Sequence, residues 1–307
     1  MEGIIDQYMR AILTDVGGFT SCVTEFIRVV DKLHPETVFY RYCPELYNNG
    51  VTPSGVPVVV QLLGGVPEVV AVNAQRAAEL GAHGIDINFG CPSRFVNRKA
   101  GGAVLLKEPN RIYDIVKATR DAVPSHVPVS AKIRLGYEDT ALALDNAHAV
   151  ENGGANFVTV HARTKSDGYK APARWKWLTK INDTLSIPVI ANGDIMSRQD
   201  YLDCYEMTGC TDIMIGRGAI RRPDLALQIQ SPNTPVLTWQ QIHLLFDKMY
   251  RQLKLQQDYT QQKILGRLKQ WLFHLKLAYQ EAEEAFNQVR LLKDLQSLER
   301  WITNPKD

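Results

Sequence analysis

Cys91 stands between Gly90 and Pro92 in the run Asn88-Phe89-Gly90-Cys91-Pro92-Ser93. A lone cysteine is most often a small buried hydrophobe. Here the glycine and proline fix a sharp turn, and Asn88 precedes the thiol by three residues. A free thiol titrates near ~8.5, so it is mostly protonated at neutral pH and can serve as a general acid. For that role its sulfur must face an opening rather than aliphatic neighbours. Lys132 lies inside the apolar run 127–133, where an unpaired ammonium is costly, so it is expected to have a task. His161 ends another apolar run and reads either as a ligand or as a satisfied core histidine. Gln61, alone in its run, reads as readily as a hydrogen-bonded core amide. Ala191-Asn192-Gly193-Asp194 and Gly216-Arg217-Gly218 could bring backbone amides close to an anion, because glycine adds no side-chain bulk. Gly216-Arg217-Gly218 lacks the third glycine of a dinucleotide fingerprint, so no separate dinucleotide domain is indicated.

These residues follow short β-branched runs that alternate with amphipathic stretches. Seven such runs occur, at 22–26, 57–63, 85–89, 127–133, 157–161, 188–191 and 212–215. Stretches 69–80, 110–123, 141–152 and 199–207 read as the intervening helices. This alternation implies an α/β fold with a parallel sheet covered by helices. A (β/α)₈ TIM barrel of ~250 residues is the natural fit, one strand short of its eight. Barrel chemistry sits on the loops after the strands, and Gly101-Gly102-Ala103 and Arg134 lie there as well. Barrels commonly hold phosphate between the last two such loops, so a phosphorylated cofactor is expected.

The period then changes. Residues 238–302 are free of proline and nearly free of glycine, with 3.6-residue periodicity, and read as a helical bundle. The expected organisation is a barrel over residues 1–230, a Pro-rich linker at 231–237 and a helical domain over 238–307. Net charge is +2 overall but uneven: residues 1–237 hold 24 basic and 25 acidic side chains, and residues 238–305 hold 10 and 7. The second surface therefore looks suited to a polyanion. No run of ~18 apolar residues exists and no signal peptide is visible, so no membrane association is expected. Five cysteines, none in a CxxC pair, favour a reducing cytoplasm and argue against a disulfide framework or a structural metal.

The segments already quoted, together with Met1-Glu2-Gly3, Thr24-Glu25-Phe26, Lys132-Ile133-Arg134 and His161-Ala162-Arg163-Thr164, resemble the bacterial tRNA-dihydrouridine synthases over essentially the whole chain. Residues 26–30 and 266–271 are similar to the C subfamily, which modifies uridine 16 of the tRNA D-loop. The resemblance implies an FMN enzyme that reduces the C5=C6 bond of uridine, with NADPH as electron source. Hydride would pass from flavin N5 to C6, and Cys91 would protonate C5. Met1, Gln61, Lys132, His161, Asn192, Gly193, Asp194, Gly216 and Arg217 would hold FMN, Lys132 at the N1/O2 edge and Arg217 at the phosphate. Asn88 and Tyr169 would read the flipped-out uracil, and Arg28 and Arg134 would fix which uridine enters. The resemblance also implies one more strand, ending in Ala-Pro, ahead of Met1. A start assigned too far downstream or a truncation would leave it out; without it weak flavin binding and an open barrel edge are expected.

Between Asp258 and Glu281 no acidic residue occurs, while Lys263, Arg267, Lys269, His274 and Lys276 do. On a helix, Lys263, Arg267, Gln270 and His274 share an arc of about 60°, and Ile264, Leu268, Trp271, Leu272 and Leu275 occupy another. Such a stripe either snorkels in solvent or contacts tRNA phosphates; the resemblance favours RNA, through Arg267, Lys269 and His274. No partner other than tRNA is indicated, and a monomer is expected. Two rival readings remain: an FMN barrel acting on a small pyrimidine or other metabolite, and a catalytically inactive tRNA-binding protein.

Overall fold

The computed structural model describes residues 3–256 and 259–303. Each of the seven apolar runs forms a strand position in one parallel sheet. The first position is interrupted: β1 (Cys22–Val23) and β2 (Ile27–Arg28) both pair with β3 (Val58–Leu63), at its beginning and at its end. Between them the Thr24 hydroxyl accepts the Gln61 amide N–H at 3.0 Å, so a side chain fills the gap in the ladder. Next come β4 (Ile85–Asn88), β5 (Val129–Arg134), β6 (Phe157–His161), β7 (Val189–Asn192) and β8 (Ile213–Met214), each parallel to the one before. Strand after strand points the same way because each returns through helical chain: Glu36–Tyr42, Pro67–Glu79, Pro109–Ala122, Ala143–Asn152, Lys176–Asn182 and Arg198–Thr208. All seven C-terminal strand ends therefore open on one rim.

The core under that rim is aliphatic. Val58, Val60, Leu62, Ile85, Ile87, Val129, Ala131, Ile133, Val158 and Val160 are fully buried. At ~25 cal/mol per Å² of apolar surface, burial of this kind is the main force closing the helices onto the sheet.

The C-terminal region is helical, with helices Trp239–Lys254, Gln261–Leu275, Gln280–Val289 and Leu295–Thr303. The Trp239–Lys254 helix starts at a Thr238–Gln241 capping box, which satisfies amide groups that a helix start leaves unpaired. The expected apolar stripe is buried: Ile264, Leu268, Trp271, Leu272 and Leu275. It does not close on its own helices alone. Tyr8, Met9, Ile12 and Leu13 of the Gln7–Val16 helix, with Ala219 and Ile220 past β8, belong to the same apolar cluster. The Trp271 indole donates to the Ile220 carbonyl at 3.1 Å. No helix among the described residues is long and apolar enough to cross a membrane.

Candidate active site

A chain of hydrogen bonds crosses the strand ends. The Ser130 hydroxyl donates to Asp86 Oδ1 at 2.7 Å, Gln61 Nε2 to Asp86 Oδ2 at 2.7 Å, and Asn88 Nδ2 to Gln61 Oε1 at 2.8 Å. Asn88 Oδ1 in turn accepts the Gly90 amide at 2.9 Å, on the turn that carries Cys91. The register makes this possible: Gln61 lies beside Asp86, Asp86 beside Ser130, and Asn88 beside Lys132. Burial pushes the Asp86 carboxyl up, and the hydroxyl, the amide and the Lys132 charge pull it back. Asp86 and Ser130 were not singled out from sequence. Their signal was available as polar residues alternating with Ile85, Ile87, Val129 and Ala131 in two apolar strands. Gln61 is thus a hydrogen-bonded core amide, and it also links Asp86 to Asn88.

Lys132 donates from Nζ to Asn192 Oδ1 at 3.0 Å, and Asn192 Nδ2 donates to the Met214 carbonyl at 2.7 Å. Burial, with Arg134 nearby, pushes Lys132 down to about 8, while Asp86 pulls the other way. His161 is buried, and desolvation with Lys132, Arg134, Arg163 and Arg217 around it drives its pKa far down. It is therefore a neutral imidazole at physiological pH, placed to accept or donate a hydrogen bond rather than to carry charge.

Arg163 is fully buried and was not assigned a role from sequence. It donates to the Lys170 carbonyl at 2.7 Å and to Asp194 Oδ2 at 2.5 Å, and its Nη1 lies 3.3 Å from His161 Nε2. Asp194 also accepts the Ala173 amide at 2.8 Å and Arg217 at 3.3 Å. Asp194, expected among the cofactor ligands, therefore has both oxygens engaged by protein and anchors two arginines. Next to it, Gly193 holds φ 126°, and a Cβ there would crowd His161 and Ala173 at 3.2 Å.

Arg217 lies 5.1 Å from the centroid of the Tyr169 ring, and Arg134 lies 5.5 Å from it. Tyr169 is 58% exposed, so its ring stands open at the rim between two guanidinium groups. Arg134, in contrast, is 3% exposed. It donates to the carbonyls of Gly90 at 2.8 Å, Thr164 at 3.0 Å and Gly168 at 3.1 Å. In this arrangement it clamps the Cys91 turn to the loop carrying Tyr169.

Cys91 is 9% exposed and packs with Leu63 and Val96, with Phe26 against that cluster. It also lies within electrostatic reach of Arg134. The loop closes tightly over it. Ala103 donates its amide to the Cys91 carbonyl at 3.0 Å, and a Cβ on Gly102, at φ 69°, would come within 3.1 Å of the Cys91 Cβ.

Met1 lies outside the described residues. Gly216 precedes the short helix Arg217–Arg221. Close by, the buried Arg221 Nε and His274 Nδ1 atoms have no hydrogen-bond partner. Arg221 is pushed down by burial and by Arg217, and His274 by burial and then by Arg221, Arg217 and Arg267. Arginines that crowd one another with a donor nitrogen left over suit an anionic phosphate. His274 thus lies within electrostatic reach of Arg217 and Arg221 of the barrel as well as Arg267 of its own helix. Among the described residues no group of three His, Cys, Asp or Glu side chains is placed to hold a metal ion.

Arg267 and Lys269, expected at the RNA surface, both make bonds within the protein. Arg267 donates to Asp6 (2.8 Å at its closest), the Gly3 and Ile4 carbonyls, and Gln270. Lys269 donates to the carbonyls of Arg290 at 3.0 Å and Leu292 at 2.6 Å, just past the Gln280–Val289 helix. Both act as struts, because carbonyl and carboxylate acceptors lie within reach once the helices pack. Arg28 rests 4.4 Å from the centroid of the Phe95 ring.

This fold and rim define a parallel α/β barrel-type enzyme with its polar groups gathered at the strand ends. The chain matches the family "Dihydrouridine synthase (Dus)" over residues 1–304, and it belongs to that family. Its relatives include the "tRNA-dihydrouridine(16) synthase" of Shewanella oneidensis, 49% identical over 98% of this chain and 95% of that one. The protein of the same name from Haemophilus influenzae is 48% identical over 97% and 96%. Among solved structures, a histamine dehydrogenase from Rhizobium sp. 4-9 shares the fold, with a TM-score of 0.54 and 14% identity over 81% of this chain and 47% of that one.

Proposed function

We propose that this chain reduces the C5=C6 bond of uridine 16 in the tRNA D-loop, in the cytoplasm, with FMN as bound cofactor and NADPH as electron donor. Two full-length relatives at 48–49% identity that carry the position-16 name support the substrate. Residues 1–230 form the catalytic unit in this reading, 231–237 the linker and 238–307 a helical unit.

The observation that carries the reading is the bond chain from Asp86 through Gln61 and Asn88 to the turn bearing Cys91. It fixes an amide beside a thiol at the rim, which suits a pyrimidine that must accept a proton at one carbon. The unpartnered Arg221 Nε, with Arg217 and His274 within electrostatic reach, fits the phosphate of FMN. When bound, FMN supplies the hydride for C6. Lys132 and Asn192 would hold its polar ring edge, with the Lys132 charge favouring a reduced, anionic ring. His161, kept neutral, would donate or accept at the ring without adding charge. Asn88 would orient the uracil, and Tyr169 would meet its face or edge at the rim. Cys91 would give its proton to C5. Its apolar flank of Leu63, Val96 and Phe26 keeps bulk water from competing.

The test is purified protein supplied with FMN, NADPH and an unmodified tRNA transcript, followed by mapping of dihydrouridine. A product at position 16 is expected. Flavin-loaded protein that binds tRNA and yields no dihydrouridine would refute the reading. Equal turnover of free uridine would favour a metabolite reductase.

A further inference from the structure

The segment just past Cys91 carries an exposed aromatic ring and exposed cations without an ion-pair partner among the described residues. Phe95 is 63% exposed on the one-turn helix Arg94–Asn97, four residues past the thiol. Arg28, at the C-terminal end of β2, covers one face of the ring at 4.4 Å. Arg94, Arg98 and Lys99, one, three and four residues from Phe95 in the chain, are exposed, and among the described residues none of them makes an ion pair or a side-chain hydrogen bond.

This segment is held in place. Asn97 Nδ2 donates to the carbonyls of Cys91 at 3.1 Å and Ser93 at 2.6 Å, and Asn97 Oδ1 accepts the Val104 amide at 2.6 Å. Val96 supplies the buried contact of the turn. Packing therefore does not account for Phe95, whose free face looks into water beside the mouth. An open ring on a fixed backbone, in a segment that also carries three exposed cations, matches a surface that stacks a nucleobase and neutralises its phosphates.

We propose that Phe95 is a stacking platform for an unpaired tRNA base neighbouring the uridine that enters the mouth. Arg28 is a positioning residue that holds the ring from its covered face, and Arg94, Arg98 and Lys99 meet the flanking phosphates. The inference rests on the reading of this chain as a tRNA-uridine reductase.

The experiment measures tRNA affinity and dihydrouridine formation together for the wild type, Phe95→Ala, Phe95→Leu and Phe95→Tyr. Phe95→Ala weakens tRNA binding about 5- to 100-fold, the range of one lost base–aromatic stack. Phe95→Leu weakens it similarly because it keeps bulk without a π-face, and Phe95→Tyr restores it. Turnover at saturating tRNA stays near wild type, since the ring does not touch the reacting carbons. Arg28→Ala weakens binding alone and adds little in the Phe95→Ala background, which separates a positioning role from a general structural one. Wild-type affinity in Phe95→Ala or Phe95→Leu would overturn the platform. A wild type that binds tRNA without forming dihydrouridine would sink the reductase reading, while the Ala, Leu and Tyr affinities would still judge Phe95.

Discussion

Two basic regions of this molecule have opposite fates. In the Gln261–Leu275 helix, the cations that the charge pattern marks for RNA are turned to internal use: Arg267 on Asp6 and the carbonyls beyond it, Lys269 on the carbonyls of Arg290 and Leu292. Elsewhere in the helical region Lys254 pairs with Glu299 and Lys248 with Asp15. On the Cys91 loop, Arg94, Arg98 and Lys99 stay exposed with no partner among the described residues. Sequence charge measures what a segment carries, and the folded structure decides how much of it remains for a ligand. A helix lying against a barrel meets carbonyls and carboxylates from distant chain, whereas a short turn projecting from a strand end meets few.

The sharpest way to separate the two regions is to remove the chemistry from one of them. Cys91→Ala should lower dihydrouridine formation about 10²–10⁴-fold, the usual worth of a general acid, with tRNA affinity unchanged. Single-turnover assays on tRNA check it, and wild-type turnover would remove the thiol from the mechanism. Arg267→Ala should act on the fold instead. Its guanidinium and the Asp6 carboxylate are 13% and 17% exposed, and Asp6 also caps the Gln7–Val16 helix by accepting the Met9 amide. Losing the pair and two carbonyl contacts should cost about 2 kcal/mol in a denaturant titration, with the tRNA affinity of the folded protein unchanged. Weaker RNA binding at full stability would return Arg267 to the RNA face.

The strands were legible because a parallel sheet buried on both faces demands continuous apolar runs, and all seven runs are strand positions. The helices 69–80, 110–123, 141–152 and 199–207 were found to within a few residues for the related reason of amphipathic period. The strand-end residues followed from topology, since every rung points its C-terminus at one rim. The partners were not legible. A helical wheel puts Arg267 on an arc but does not say that Asp6, 261 residues away, lies opposite. Nor does the sequence say that Asp194 engages two arginines from other loops. Asp86 was readable in principle as a carboxylate alternating with isoleucines, and a period-two reading of polar residues within strands would have found it.

The rim also makes a prediction in pH. Lys132 is held down to about 8 by burial, below its ordinary value near ~10.4. It is charged below about 8 and neutral above. If its ammonium holds the polar ring edge as a charged donor, FMN affinity should be flat up to about pH 7.5 and fall above 8, by at most tenfold per unit. Fluorescence titration of flavin across pH would read this, and Lys132→Met should flatten the limb. A wild-type profile flat to pH 9.5 would exclude the charge from binding. His161, already neutral, should add no acidic limb near 6.5.

The smallest effect bears most directly on the contrast between the regions. Each cation that meets a phosphate of single-stranded RNA contributes about 0.7 to the slope of log affinity against log salt. Arg98→Gln with Lys99→Gln should therefore lower the slope by about 1.4 at unchanged stability, because neither side chain holds anything in the fold. Lys269→Gln should leave the slope alone and cost about 1 kcal/mol of stability, because its ammonium holds the carbonyls of Arg290 and Leu292. Filter binding over a salt series, paired with urea unfolding, reads both numbers on the same preparations. A slope that falls for Lys269→Gln and not for the loop pair would exchange the roles of the two regions.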